Sequence, residues 1–337
     1  MPDVAGVGAN SVDYVYRLPA FPQPDSETAK LQITAHAVRC GGQTATTLCT
    51  CAAMGLRTRY VGATGHDANG ARMRQELDRR GVDITHAHVR PAENPFAVIL
   101  LDERQGERVV LWSRSPEVRL RPEEINAAAI GRPRLLHVDD ADQDAAILAA
   151  ALANDLGIPV TSDIERVTER TEELVAAVTI PIFAEHALEP LTGERDPERA
   201  LRAVQRLRAR LPSAALRPGK PGTAYGGGVV AATPRGGLPA TRGHGIVVVT
   251  LGARGAMLLD DDRPYHEPAF QVQVADTTGA GDVFRGAFIA AWLRGDRPAD
   301  LLRFANAAAA ISCTRPGAID SVPTREEALA LAGPPGA

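Results

Sequence analysis

With 337 residues, the chain can form one large α/β domain or two modest ones, and a hydrophobic content of 45% is enough to build a substantial core. Its formal net charge of -4 provides no basic field that would attract nucleic acid or an anionic membrane, so we expect small-molecule partners. The four cysteines have neither zinc-ligand nor Cys-x-x-Cys spacing, no run reaches a membrane span and the N-terminus lacks a targeting pattern, which together predict a cytoplasmic protein with reduced thiols.

The first third of the chain contains short predicted strands with little helix between them. Apolar residues 4–8 predict a buried strand, and alternation over residues 10–16 predicts another. A helix rich in Ala, Thr and Cys follows Gly41 and Gly42. Further elements are predicted in chain order: a strand at 60–62, a helix at 73–80, and strands at 96–101 and 108–112. The close spacing of the strands within about 12–38 and 94–115 predicts a small accessory sheet.

From about residue 120, strands and helices alternate regularly. The predicted elements are a strand at 135–138, a helix at 145–156, a strand at 159–161 and a helix at 171–178. This alternation is typical of βαβ units and of a mainly parallel sheet. Ligands collect beyond the carboxyl ends of such strands, which is where Asp139, Asp163 and residues 279–282 are expected.

Residues 212–243 are rich in Gly and Pro and have little apolar periodicity. We expect a flexible surface insertion, with a mobile lid over a nucleotide as the alternative. A buried strand is predicted directly after it, at 246–252.

A glycine turn near the C-terminus combines an acid with a helix start. Residues 270–274 alternate like a half-buried strand, and residues 283–293 follow a helical period, so Gly279-Ala280-Gly281 is predicted at a strand-to-helix junction. Free N–H groups at a helix start can hold phosphate oxygens, and Asp282 in the first turn can accept a proton from an attacking hydroxyl. For these residues alone, an ordinary turn with an acid that complements the helix dipole is the alternative.

Two common nucleotide motifs are absent from the sequence. Gly219-Lys220-Pro221 lacks the preceding glycine and the following hydroxyl of a P-loop. Residues 6–11 lack the third glycine of a dinucleotide-binding turn. Both enzyme classes are therefore disfavoured.

Residues 275–284, with 303–310 and 313–318, resemble the C-terminal signature of the ribokinase-like (PfkB) carbohydrate kinases, nearest the ketohexokinase and sulfofructose-kinase branch. The resemblance implies one domain over residues 1–337 with a three-layer α/β/α fold, a mainly parallel central sheet and a small β-sheet lid. It implies ATP-dependent phosphorylation of a sugar, with Asp282 as base and the backbone of Gly279, Ala280 and Gly281 as anion hole. It also implies Mg²⁺, K⁺ as a further candidate cofactor, and a homodimer formed through the lid.

On the sugar side, polar residues after a buried strand and paired glycines suit hydrogen bonding to hydroxyls at close range. The resemblance assigns this role to Asn10, Asp13, Gly41, Gly42, Thr46, Asp139 and Arg114. Thr46 stands where the family commonly has asparagine. Arg114 matches an arginine of ketohexokinase-like members that could approach the transferred phosphate.

On the nucleotide side, the resemblance assigns ADP phosphate and adenine contacts to Thr250, Gly252, Gly255, Ala256 and Asn306. The family's Asn-x-x-Glu motif, which orders Mg²⁺ through water, is replaced by Ala184 and Ala187. Glu185 is the nearest substitute.

The substrate stays open between several classes. Asp139 and Asp140 lie where sulfofructose-kinase-like relatives hold an anion with arginine, which predicts a neutral ketose or furanose, although Arg114 could supply the missing charge. A nucleoside kinase of the same family is one alternative. A catalytically impaired sugar-binding or regulatory homologue is another, because the Mg²⁺ motif is altered.

Overall fold

A computed structural model describes residues 1–104, 108–210 and 245–334. The predicted insertion at 212–243 lies outside the described residues. The strands are β1 (Val4–Val7), β2 (Ser11–Leu18), β3 (Ala35–Gly41), β4 (Thr58–Gly65), β5 (Val82–Arg90), β6 (Phe96–Asp102), β7 (Arg108–Ser113), β8 (Leu135–Asp139), β9 (Val160–Asp163), β10 (Ile182–Ala184), β11 (Ile246–Thr250), β12 (Ala256–Asp260) and β13 (Arg263–Glu267). The helices are α1 (Gln43–Ala53), α2 (Ala68–Arg79), α3 (Ala127–Ile130), α4 (Gln143–Asp155), α5 (Thr171–Ala177), α6 (Glu185–Thr192), α7 (Pro197–Arg210), α8 (Ala280–Arg294), α9 (Pro298–Cys313) and α10 (Arg325–Ala332).

The central sheet begins with five parallel strands in the order β5-β4-β1-β8-β9. It continues through β10 and β11, which are parallel, and ends with the antiparallel strands β12 and β13. Two isolated parallel bridges, Thr161 to Ile180 and Ile164 to Phe183, connect the two groups of strands. β1 and β8 are buried along their whole length, as expected for parallel strands with helices on both faces.

Each face of the central sheet has its own apolar core. Tyr60 of β4 and Leu135 of β8 point to a core shared with α1, α8 and α9, whereas the next residues, Val61 and Leu136, point to a core shared with α4, α5 and α7. This alternation follows from the two-residue period of a strand. The result is the three-layer α/β/α arrangement that the resemblance implied, which confirms the predicted fold class.

A separate four-stranded sheet has the order β3-β2-β6-β7, with β2 and β6 parallel and the outer strands antiparallel. We call these four strands the lid sheet. Its strands overlap the two spans, about 12–38 and 94–115, in which the sequence predicted an accessory sheet, although β2 begins at Ser11 and β3 extends to Gly41. At its β7 end, Arg108 Nη1 lies 3.3 Å from Thr278 Oγ1, so the lid sheet contacts the loop before α8.

The strand predicted at 270–274 is wrong. The described structure has a loop there, and the preceding strand is β13, which pairs with β12. The loop that follows is held instead by the end of α9, because the N–H groups of Ala275 and Asp276 both donate to the Cys313 carbonyl. An alternating pattern without a neighbouring strand to pair with therefore stays irregular.

Among the described residues, no helix combines the length and the apolar character that crossing a membrane would require.

Candidate active site

The start of α8 forms the floor of the site. Gly279 adopts φ 76°, and a Cβ there would lie 2.8 Å from the Ala318 backbone, so both the turn and the close packing require glycine. No side chain caps this helix. The first N–H groups of any α-helix have no intrahelical acceptor, and here the Ala280 N–H makes a 3.3 Å hydrogen bond to the Thr277 carbonyl in the preceding loop.

Asp276 fixes the loop before this helix start. Its carboxylate accepts hydrogen bonds from the N–H of Thr278 at 2.9 Å and from the N–H of Gly317 at 2.8 Å. The loop and the segment after α9 are thereby joined next to Gly279. This pre-forms an N–H cluster that can receive a phosphoryl group.

Asp282 lies in the first turn of α8 and is 8% exposed. Burial, followed by the negative charge of Glu165, raises the pKa of Asp282 to about 8, while Arg285 opposes this shift. A carboxyl group with a pKa near the working pH suits general base catalysis.

Asn10 and Asp13 lie at the predicted sugar side and keep acceptor capacity. The Asn10 amide donates to the Tyr60 hydroxyl and to the Ala63 carbonyl, both at 2.8 Å, whereas its buried oxygen has no partner among the described residues. Asp13 accepts one hydrogen bond from Ser11 at 2.9 Å, and burial raises its pKa. These oxygens can accept hydroxyl hydrogens from a polyol.

The paired glycines line the same region. A Cβ on Gly41 would lie 2.8 Å from Asp13 Oδ2 and 3.5 Å from Ala318 Cβ. Gly42 has φ 100° and lies against the Asn10 backbone. Because Ala318 also packs on Gly279, the sugar-side residues and the helix start meet at one place. Thr46 is fully buried in α1, and its hydroxyl has no partner among the described residues.

Asp139 differs from its expected role of facing the sugar. Its oxygens accept the N–H groups of Ala9 at 2.6 Å and Ala141 at 3.0 Å, and the Thr44 hydroxyl at 2.7 Å. Asp140 is likewise occupied by the loop after β9, where it accepts the N–H groups of residues 165 and 166. Both carboxylates therefore hold strand ends together, and the prediction that they repel an anionic sugar loses its basis.

Arg114 also has a contact within the protein. Its Nη1 donates to the Ala141 carbonyl at 2.8 Å, next to Gly8 and Ala63. This places Arg114 beside the loop that follows β8. It is not among the side chains of the nucleotide-side cavity described next.

A cavity of about 360 Å³ lies on the other side of the helix start. Four of the five predicted nucleotide-binding residues line it: Thr250, Gly252, Gly255 and Asn306. Ala256 is buried in β12 behind it. Ala280 and Gly281 line the same cavity, so a nucleotide bound there would present its phosphates to the helix start. The Asn306 amide donates to the Glu267 carbonyl at 2.8 Å and holds the adjoining loop.

Several lining residues were not predicted. Apolar side chains of the loop after β13 and of the helices complete the cavity wall: Phe270, Val272, Val274, Phe284 and Cys313. Phe284 and Cys313 carried a signal, as parts of the C-terminal motif. The others depend on a loop that the alternating pattern had assigned to a strand.

Glu185, the predicted metal contact, starts α6 and forms an ion pair with Arg254. It faces an open cleft that adjoins the nucleotide cavity at Thr250 and Gly252. In the described part of the chain, no group of three His, Cys, Asp or Glu side chains could hold a metal ion. A single carboxylate at this edge fits a Mg²⁺ that is held mainly by nucleotide phosphates and water rather than by a set of protein ligands.

Comparisons with known proteins show the family and the fold of the chain. The family model described as "pfkB family carbohydrate kinase" matches residues 2–230 and 228–325. The ribokinase of Haemophilus influenzae is 27% identical over 330 residues, which cover 96% of this chain and 96% of that protein. The ATP-dependent ribose-1-phosphate kinase of Halopiger xanaduensis is 28% identical over 329 residues, 97% of each chain. The solved structure of Arabidopsis thaliana ribokinase complexed with ribose and ATP has a TM-score of 0.73 at 23% identity, covers 98% of each chain and shares the fold.

Proposed function

The chain belongs to the pfkB family of carbohydrate kinases, and we propose that it is an ATP-dependent kinase that phosphorylates a hydroxyl of a small neutral sugar, a ketose or a furanose. The observation that carries the proposal is the position of Asp282. It lies at an uncapped helix start, with the nucleotide cavity on one side and the Asp13 and Gly41 region on the other. We also propose that the protein is cytoplasmic, as expected from the sequence.

In the proposed reaction, Asp282 removes the proton of the acceptor hydroxyl as its oxygen attacks the γ-phosphorus of ATP. The bond between the γ-phosphorus and the bridging oxygen breaks, and ADP leaves. N–H groups at the Gly279-Ala280-Gly281 turn stabilise the charge on the transferring oxygens. Asp276 keeps that turn in place through its two backbone hydrogen bonds.

Mg²⁺ would neutralise charge on the β- and γ-phosphates when bound. Glu185 would approach it through water. The chain's own contribution at this edge is to orient the nucleotide: Gly252 and Gly255 leave room for phosphates, and Asn306 holds the loop that closes the cavity.

The preference for a neutral acceptor rests on Asp13 and Asp282 rather than on Asp139. Both carboxyls lie on the acceptor side, and the negative charge of Asp276 adds to the field at Asp13. A sulfonate or sugar carboxylate brought into this region would be repelled, whereas hydroxyls would be accepted as donors.

A substrate panel tests the proposal. Ketoses, aldofuranoses, a sulfonated sugar, a sugar acid and nucleosides are each incubated with ATP and Mg²⁺, and ADP release is measured. We expect the highest kcat/KM with a neutral sugar, and no sugar-dependent turnover by Asp282→Asn. A nucleoside preference would make the chain a nucleoside kinase. Sugar binding without turnover by the native chain would support an impaired homologue.

We further propose that the lid sheet forms a homodimer. Four consecutive residues of the edge strand β7, Val109, Val110, Leu111 and Trp112, are 40 to 69% exposed. An apolar strand at a sheet edge fits pairing with a second copy. Light scattering should show a dimer for the native chain and a monomer for Trp112→Glu, and a monomeric native chain would contradict this proposal.

A further inference from the structure

Arg285 is a buried cation that the proposed phosphoryl transfer does not itself use. It lies one helical turn after Asp282, and its side chain has no exposed surface. Its Nη2 lies 2.5 Å from Asp163 Oδ1 and 3.8 Å from Glu165 Oε1, and its Nη1 lies 4.0 Å from Asp282 Oδ1. Asp163 ends β9 and is also fully buried. The guanidinium therefore connects the end of a central strand to the first turn of α8.

The same guanidinium explains Gly281. A Cβ on Gly281 would lie 2.5 Å from Arg285 Nη1, yet Gly281 is not among the residues with positive φ. The turn itself therefore does not require glycine at this position. A side chain at position 281 would instead displace the guanidinium, which lies directly beneath the helix start. Arg285 thus supports both the base and the N–H groups that face the phosphoryl group.

Charged groups from three elements surround Asp282. They are Asp139 and Asp140 at the end of β8, Asp163 and Glu165 at the end of β9, and Arg285 of α8. His137 of β8 adds no charge, because burial and the nearby guanidinium lower its pKa to about 3. Two further cations act on the outer members of this group, since Arg166 pairs with Asp140 and Arg114 lowers the pKa of Asp139. Arg285 lies 4.0 Å from Asp282 itself, so its position decides how far Asp282 can ionise.

Resting on the kinase function proposed above, we propose that Arg285 and Asp163 are a positioning pair, in which Asp163 anchors the guanidinium and the guanidinium holds Asp282 and Gly281 in place beneath the transferred phosphoryl group. Neither residue touches the substrate. The pair acts through Asp282, whose orientation depends on the contact at its first turn and whose charge is balanced by the guanidinium.

The pair predicts the same direction of effect for its two members. Arg285→Met removes the positive charge next to Asp282, so the pKa of Asp282 rises and the acidic limb of the kcat/KM profile moves to higher pH. Asp163→Ala removes the group that anchors the guanidinium, and because Asp163 and Arg285 both lower the pKa of Asp282, the limb moves to higher pH in this variant as well. We expect shifts of about one pH unit or more, or about tenfold in kcat/KM on the acidic side.

Three further variants separate positioning from general packing. Arg285→Lys keeps the positive charge but lacks the planar guanidinium that contacts two carboxyl groups. The acidic limb of the kcat/KM profile should therefore stay at the native pH, while kcat should fall by a larger factor than the sugar KM rises. Gly281→Ala should lower kcat by displacing the guanidinium. Arg90→Met is the matched control, because Arg90 is also largely buried in an ion pair, with Glu124 at 2.5 Å. It should leave the limb unchanged.

The experiment combines pH–rate profiles with a measurement that does not need turnover. The ¹³C-carboxyl resonance of Asp282, identified by its loss in Asp282→Asn, is titrated in the native chain and in each variant. Limb and resonance should move together, and to higher pH, for both Arg285→Met and Asp163→Ala. Identical titrations in all variants would overturn the pair. If Arg285→Met does not fold, the shift found for Asp163→Ala decides.

The two proposals fail in different ways. Absence of kinase turnover in the native chain would remove the proposed function, while the titration would still test the pair. Normal turnover, with the Asp282 titration unshifted in the Arg285 and Asp163 variants, would contradict the proposed positioning pair and leave the proposed function intact.

Discussion

The nucleotide side and the acceptor side of this site are built from different groups. Glycines, alanines and apolar side chains make most of the nucleotide cavity, and Asn306 holds its wall. The acceptor side gathers carboxyl groups: Asp13 lies beside Gly41, and Asp282 and Asp163 lie around the fully buried Arg285. Shape therefore governs nucleotide binding, whereas charge governs the acceptor hydroxyl. Substitutions on the first side should change the KM for ATP, and those on the second should change the rate or the sugar KM.

The strongest test of this division is Asp282→Asn. The amide keeps the shape of the side chain but cannot take the proton, so kcat should fall by about 10²–10⁴-fold while the KM for ATP stays near the native value. Steady-state kinetics with both substrates varied measures this. Native-like turnover would remove Asp282 from the mechanism, and a large change in ATP affinity would break the separation of the two sides.

Gly279→Ala tests the place where the two sides meet. The new methyl group would press on the Ala318 backbone and strain a residue at φ 76°, which moves the N–H groups of the turn. Losing one donor to the transition state costs about 10²–10³-fold in kcat. Gly157→Ala is the control, because Gly157 has φ 68° but open space around its Cα. Equal activity losses in both variants would indicate a general folding effect instead.

Asp13→Ala should affect the sugar alone. It deletes acceptors for sugar hydroxyls and leaves the nucleotide cavity untouched, which costs about 1–3 kcal/mol, or about 5- to 150-fold in the sugar KM. The KM for ATP should stay the same. An unchanged sugar KM, or an equal rise in both constants, would contradict the assignment of Asp13 to the acceptor side.

The periodic parts of this fold could be predicted because burial repeats along them. Strand-helix alternation after residue 120 and the apolar run of β11 both appear in the structure, since each satisfies its backbone within or beside a regular element. The sequence analysis did not predict the long strand β5, because a strand at the edge of the sheet has only a weak apolar alternation. Residues 270–274 show the converse: they alternate, but no strand lies beside them.

The site was predictable where one segment carries the chemistry and not where distant segments meet. Asp282 and the glycine turn are adjacent in sequence, so their relation was visible there. The ion pair between Asp163 and Arg285 joins residues 122 positions apart and depends on how α8 lies on the central sheet. Asp139 was misjudged for the same reason, because Thr44 and Ala9, which occupy it, come from other elements.

Asn306→Ala should have the smallest effect and tests the nucleotide side alone. Its amide holds the loop after β13 through the carbonyls of Glu267 and Pro268, at 2.8 and 3.2 Å, so its loss loosens the cavity wall without removing a ligand. Two modest hydrogen bonds together contribute about 1–3 kcal/mol, and part of this free energy stabilises the folded protein rather than the bound nucleotide. We therefore expect a rise of several-fold in the KM for ATP and little change in kcat.

Asn154→Ala is the control for that variant, because Asn154 of α4 donates a 2.8 Å hydrogen bond to the Ala177 carbonyl away from the cavity. It should lower thermal stability by a similar amount and leave the KM for ATP unchanged. Because Asn306 is neutral, the pH profile of Asn306→Ala should superpose on that of the native chain. A shifted acidic limb in this variant would mean that the nucleotide wall also sets the charge state of Asp282, and the two sides would then have to be treated as one coupled site.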